Sequence, residues 1–241
     1  LYLNGQADAM QPVEALSLYY DFREFTPPGA RGDEMVRNLA RRLVKVDLLS
    51  QASELLDYQV NKRLEGAARA QIAADLAVID IADRKPQKAL EALHVSHIAG
   101  LPPSLERQRR VLEARALIDS GRSDLALDLL ASMDGRDADL LRIDAQWRSE
   151  RYREASELIE RLYASLGTED VLTPTTRNNL IRAAVGFVLA NDQIGLSRLR
   201  SKFGERMSNT PEWPIFDFVT SQVSVTSAEF KKVAQQVASI D

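Results

Sequence analysis

The chain has 241 residues, 45% of them apolar, and carries 31 Lys and Arg against 35 Asp and Glu for a net charge of −4. That balance belongs to an ordinary folded protein and excludes the global positive field that draws in nucleic acid or anionic lipid. No stretch approaches the ~20 apolar residues that cross a bilayer, and the absence of Cys removes disulfides, thiolate metal sites and thiol nucleophiles together.

The pattern is helical almost from end to end. Pro12 suits a first helical turn, and Leu16, Tyr19, Tyr20 and Phe25 follow at helical spacing until TPPGARGD breaks the chain. Asp33 is the expected cap of a helix with Val36, Leu39, Ala40, Leu43 and Val46 on one face, and Ser50 the expected cap of its partner, which carries Leu55, Leu56 and Val60. The next pair is expected at 66–83 and 86–95, the second helix opening on Pro86. After the linker HIAGLPPS, Ser104 opens a helix to about Ser120, Gly121 turns the chain, and Ser123 to Met133 completes the pair. Further pairs are expected at 137–149 with 151–166 and at 175–190 with 192–206. The segment SNTPEWPIFDFVTSQVSVTS reads equally as a short helix or an extended stretch, and a terminal helical pattern follows.

A repeat runs through these pairs. Ala52, Ala89, Ala126 and Ala155 each stand early in a second helix, at steps of 37, 37 and 29 residues, with Gly195 at the corresponding place in the fifth pair. Steps near 34 residues are the mark of two-helix repeats, whose hairpins bury a core only by stacking on their neighbours. Helices at hairpin distance need a small side chain where their backbones approach and large ones above and below it.

Ala114, Gly121 and Ala126 in the segment from Leu112 to Leu130 resemble the small residue, turn glycine and second-helix alanine of the tetratricopeptide family. Val36, Leu39, Ala40, Leu43 and Ala52 fit a second copy, Leu76, Ala77 and Ala89 a third, and Tyr152 with Ala155 a fourth. Asp80 stands where that family prefers an aromatic residue, and Gln146 is polar at the equivalent place. The sequence is also similar to the helical-repeat portions of long bacterial proteins. The resemblance implies an all-α fold, a right-handed superhelix of antiparallel helix hairpins. Residues 1–32 are expected to pack on the array as a helix and loop, 33–206 to form about five hairpins, and 207–241 to add an irregular segment and a last helix, all in one continuous unit.

Patterns of catalysis are sparse. His94 and His97 are three apart, a spacing that suits two metal ligands, but a third ligand is not evident nearby, and no metal or cofactor is expected. Asp80 with Asp83, or Glu205 with the acidic residues before it, are spaced for acid–base work yet read more simply as solvated helix faces or turn residues. The phosphate-loop pattern GxxxxGK[ST], the dinucleotide pattern GxGxxG and the nucleophile elbow GxSxG do not occur. Arg31-Gly32-Asp33 reads as a turn followed by a cap.

The arrangement that points to binding is a stripe on the first helix of the first repeat: Arg37, Arg41 and Lys45, one helical turn apart. First helices of tetratricopeptide-like arrays face the concave side, and the same register gives Gln71, Ala74 and Val78, then Gln108, Val111 and Arg115. It continues through Leu140, Asp144, Trp147 and Arg148 to Arg177, Leu180 and Phe187. Such a groove has cations at one end, suited to carboxylates, and apolar or aromatic anchors, Trp147 and Phe187, toward the other. The expected function is therefore non-enzymatic: a module of a larger bacterial protein that binds a protein or peptide partner, acidic in character, without nucleic acid or membrane insertion. A structural spacer, or an accessory helical domain of a cell-envelope enzyme, are the alternative expectations. The chain opens on Leu1 and closes in a helical pattern, which reads as a piece of something longer, and the compartment stays open with a lean toward the envelope.

Overall fold

The structure, a computed structural model, describes residues 10–22, 27, 29–164, 171–221 and 227–238. Among these residues there are thirteen α-helices and no strand. They are α1 (Pro12–Phe22), α2 (Ala30–Lys45), α3 (Leu49–Lys62), α4 (Gly66–Ala82), α5 (Pro86–Val95), α6 (Pro103–Asp119), α7 (Ser123–Leu130), α8 (Arg136–Arg148), α9 (Tyr152–Leu162), α10 (Pro174–Leu189), α11 (Gln193–Ser208), α12 (Trp213–Thr220) and α13 (Ala228–Ala238). The chain divides into two compact units, Leu1–Arg122 and Ser123–Asp241. Within the first, each helix packs on the next, and within the second the same holds from α7 to α12, while α13 packs on α10. The expected helices appear with small shifts: α7 stops at Leu130 short of Met133, α9 ends at Leu162, and WPIFDFVT forms a short helix rather than an extended stretch. Phe25 lies outside the described residues.

Two expected caps are corrected. Helix α2 starts at Ala30, with Gly29 before it, so Asp33 sits inside the first turn, where it faces Arg63 at 3.6 Å. Its charge still favours the helix N-terminus. Helix α3 starts at Leu49 without a side-chain cap, and the Ser50 hydroxyl donates to Asp83 at 2.8 Å instead.

One turn recurs five times. Asp47, Arg84, Gly121, Glu150 and Asn191 each end a helix with positive φ, between 53° and 77°. The following residue then donates its N–H back to the carbonyl five residues earlier: Leu48 to Leu43, Lys85 to Asp80, Arg122 to Leu117, Arg151 to Gln146, and Asp192 to Phe187, at 2.7–2.9 Å. The left-handed residue itself bonds three back, as Asp47 does to Val44. This is the Schellman closure, which satisfies the last orphan carbonyls of a helix and reverses the chain within two residues. Counting five residues on from each left-handed position lands on Ala52, Ala89, Ala126 and Ala155, all fully buried. In the fifth turn the same count lands on Leu196, not on Gly195. Gly195 is one residue early, and its place is set by Phe187, whose ring lies 2.5 Å from where a Cβ would stand.

The core of the first unit joins Ala15, Leu16 and Tyr19 of α1 to Val36, Leu39, Ala40 and Leu43 of α2, Leu55, Leu56 and Val60 of α3, and Ile72 and Leu76 of α4. The helical spacing identified nearly all of these. Val46 departs from it, being half exposed at the end of α2. Arg109 on α6 is buried. Its guanidinium donates to the Ala70 carbonyl and the Leu93 carbonyl, each at 2.6 Å, and to Ser96 Oγ at 3.1 Å. One fork thereby ties α6 to α4 and to the end of α5, and desolvation pulls its pKa below the ordinary arginine value.

In the second unit α10 is the hub. Every residue from Ile181 to Val188 is buried, as expected of a helix surrounded on all sides, and α10 packs with α9, α11, α12 and α13. Phe216 and Val219 of α12 and Phe230 and Val237 of α13 enter the same core as Phe187, Leu199 and Phe203. At Gly186 a Cβ would stand 2.2 Å from Ser156 Oγ and 3.1 Å from the Tyr152 carbonyl, so glycine is what lets α10 approach α9.

Two substitutions test the repeat register. Ala126→Leu should overpack the α7 pairing and lower stability by about 1–3 kcal/mol in urea unfolding. Glu150→Gly should raise it by about 0.5–1 kcal/mol, because relief of the left-handed strain exceeds the added chain entropy of glycine. Tolerance of the leucine together with loss of stability at the glycine would mean that the turns are misassigned.

Candidate functional site

The basic stripe lies along α2 in the first unit. Arg41 and Lys45 are exposed and Arg37 is half-buried. Arg41 Nη1 donates to Asn38 Oδ1 at 3.0 Å. Across from them on α4 stands Asp75, a residue the sequence pattern did not single out. Burial pushes its carboxyl above the ordinary aspartate value, while a hydrogen bond from Gln71 at 3.4 Å and the charges of Arg37 and Arg41 pull it back down. Gln71 is thus engaged with Asp75 along its own helix. Val78 keeps nearly half its surface exposed, Gln108 is exposed, and Val111 is half-buried. Arg115 pairs with Asp119 on its own helix at 3.1 Å.

Ala74 does not belong to that surface. It has no exposed area and packs with Ala70 and Leu105 where α4 meets α6, so of the apolar positions in this part of the register only Val78 and Val111 reach the surface. The aromatic anchors expected farther along are occupied as well. Phe187 is fully buried in the core of the second unit. Trp147 lies under Arg182, whose guanidinium carbon is 4.8 Å from the ring centroid and whose Nη1 bonds Asp144 at 2.8 Å, and Tyr152 meets the indole edge at 5.2 Å. Arg177 pairs with Glu212 at 2.6 Å, and Leu180 is buried. Sequence spacing placed these residues on the first helices correctly. It could not show that α10 is covered on every side.

A second surface of the first unit is concave. Helices α1, α3 and α5 frame a cleft of about 510 Å³ lined by Tyr19, Tyr20, Glu54, Asp57, Tyr58, Lys88 and Glu91, with Ser53 and Asp80 beneath. Tyr20 donates its hydroxyl to Glu54 Oε2 at 3.3 Å. Half of the chain's six tyrosines meet here. The signal in sequence was Glu54 and Tyr58, one helical turn apart, but nothing local reveals that α1 comes across to join them.

Asp80 now has a structural explanation. It is buried, and Ser53 donates to it at 2.6 Å, so a polar pair replaces the aromatic residue the resemblance prefers. Burial raises its pKa above the usual carboxylate range, with the charge of Asp57 adding to the rise and the Ser53 bond, Lys88 and Lys85 opposing it. Asp83 is the opposite case: bonds from Lys85 at 2.5 Å and Ser50 at 2.8 Å lower its pKa. The two aspartates thus accept hydrogen bonds from different partners, Ser53 for Asp80 and Ser50 with Lys85 for Asp83. His94 and His97 are both exposed near the end of α5, and among the described residues no group of three or more His, Asp and Glu is placed to hold a metal. Among the same residues no helix is long and apolar enough to cross a membrane.

A carboxyl whose folded pKa is raised above its unfolded value gains stability as pH falls through the raised value toward about 3.9. Asp80→Asn keeps an acceptor for Ser53 and removes the buried charge. It should be at least as stable as the parent at pH 7, with the difference shrinking as thermal melts are taken from pH 7 down to pH 4. A difference that widens on acidification would show that the carboxylate, not the acid, is the stabilised form.

Comparison of the chain with known protein families, with curated proteins and with solved structures finds no match.

Proposed function

We propose that this chain is a non-enzymatic, tetratricopeptide-like interaction module that binds an acidic segment of a partner protein along α2. The observation that carries this reading is Asp75. Burial raises the pKa of Asp75, presented from α4, and the charges of Arg37 and Arg41 act against that rise, while Arg41 and Lys45 remain exposed beyond it. An acidic side chain or free C-terminus in the same setting gains the same charge-assisted contacts. The non-enzymatic part draws support from the use made of the buried ionisable groups. Asp80 joins α4 to α3 through Ser53, Arg109 joins α6 to α4 and α5, and Glu160 on α9 takes both ends of the Arg198 fork on α11 at 2.8–2.9 Å. Each of these three groups joins one helix to another.

The test is peptide binding by fluorescence anisotropy, using a labelled acidic decapeptide with a free C-terminus and its amidated, neutral counterpart. The acidic peptide should bind more tightly, and its affinity should fall as salt rises, since the Debye length is about 8 Å at physiological ionic strength. Arg41→Glu should weaken it roughly tenfold while thermal stability moves by less than about 0.5 kcal/mol, as exposed substitutions do. Unchanged binding by Arg41→Glu would remove the stripe and leave a spacer, or an accessory domain of an envelope enzyme, as the better description.

A further inference from the structure

The cleft between α1, α3 and α5 has the opposite character to the α2 stripe. Four carboxylates line it, Glu54, Asp57, Asp80 and Glu91, against two lysines, Lys62 and Lys88. Glu54, Asp57 and Glu91 are exposed at its rim, and Tyr20 and Tyr58 keep 43% and 37% of their surfaces exposed. Tyr19 is buried beside them in the core, which fixes α1 in place. The Tyr20 hydroxyl bond to Glu54 orients one ring toward the carboxylates. Aromatic faces next to excess negative charge are what a long cationic side chain requires. Its methylene stem lies on the rings, its charged head reaches the carboxylates, and the ring faces themselves attract the cation. The concavity supplies desolvation that a flat acidic helix face lacks.

We infer that this cleft holds a lysine or arginine side chain from an extended basic segment of a partner protein. The site is separate from the α2 stripe, lies on different helices and does not depend on the acidic-peptide reading. The two surfaces together give the first unit one face for each sign of charge.

The experiment uses the full chain and three labelled decapeptides of alanine and glycine that differ only in carrying two arginines, two lysines or two glutamates. The arginine and lysine peptides should bind and the glutamate peptide should not do so through this cleft. Glu54→Gln with Asp57→Asn and Glu91→Gln should weaken the basic peptides at least tenfold, and Tyr58→Ala alone should weaken them severalfold. A control with the same loss of charge in the second unit, Glu154→Gln with Glu205→Gln and Glu229→Gln, should leave affinity within twofold. Amide chemical shifts on adding the arginine peptide should move around Glu54, Tyr58 and Glu91. Absence of binding, an equal loss in the control variant, or shifts centred elsewhere would each overturn the inference. Circular dichroism melts of every variant establish that the fold is retained, and the shift map of the parent chain decides the matter even if the triple variant fails to fold.

Discussion

The tight closure at the end of each first helix is the constraint from which the rest follows. A single left-handed residue and one N–H bond reaching five residues back reverse the chain within two residues, so that α3, α5 and α9 each run back against the helix before them. Backbones brought that close leave room only for a small side chain a fixed distance on, and the buried Ala52, Ala89 and Ala155 occupy that distance. Only one of the five left-handed residues is glycine. The other four accept local strain of about 1–2 kcal/mol each, which the packing they permit must exceed.

Charge inside this protein serves joints between helices. Apolar packing alone is indifferent to small slides along a helix axis, whereas Arg109, with three acceptors from two neighbouring helices, fits in one position only. The Ser53–Asp80 pair and the Glu160–Arg198 fork do the same between α3 and α4 and between α9 and α11. Arg142 repeats the Arg109 pattern in the second unit, donating to the Leu130 and Met133 carbonyls while holding Asp139 at 2.5 Å. Buried hydrogen bonds of this kind add specificity of register where hydrophobic burial adds most of the stability.

Much of the architecture was legible because a helix leaves a periodic trace. Val36, Leu39, Ala40 and Leu43 announce their face, and Pro86, Gly121 and the alanines announce turns and close approaches. Helix starts were less legible: Asp33 and Ser50 look like caps, yet their side chains are taken by Arg63 and Asp83, about thirty residues away. The candidate surfaces were legible only in part for the same reason. A stripe such as Arg37, Arg41 and Lys45 is a property of one helix and can be counted. Asp75 opposite it, and the tyrosines of the cleft, are brought in from other helices, and Phe187 changes from anchor to core because α11, α12 and α13 surround α10.

The burial of α10 has a further meaning for how the second unit comes apart. In a strictly linear stack each hairpin touches only the ones beside it, so opening starts at an end and proceeds one hairpin at a time. Here α9, α11, α12 and α13 share a single central helix, with Gly186 and Gly195 set at its close approaches to α9 and α11, so losing any one neighbour removes core packing from the others. The amides of α10 should therefore exchange with solvent only through an opening that releases all four flanking helices together, which makes this part of the chain one cooperative block rather than a row of separable repeats.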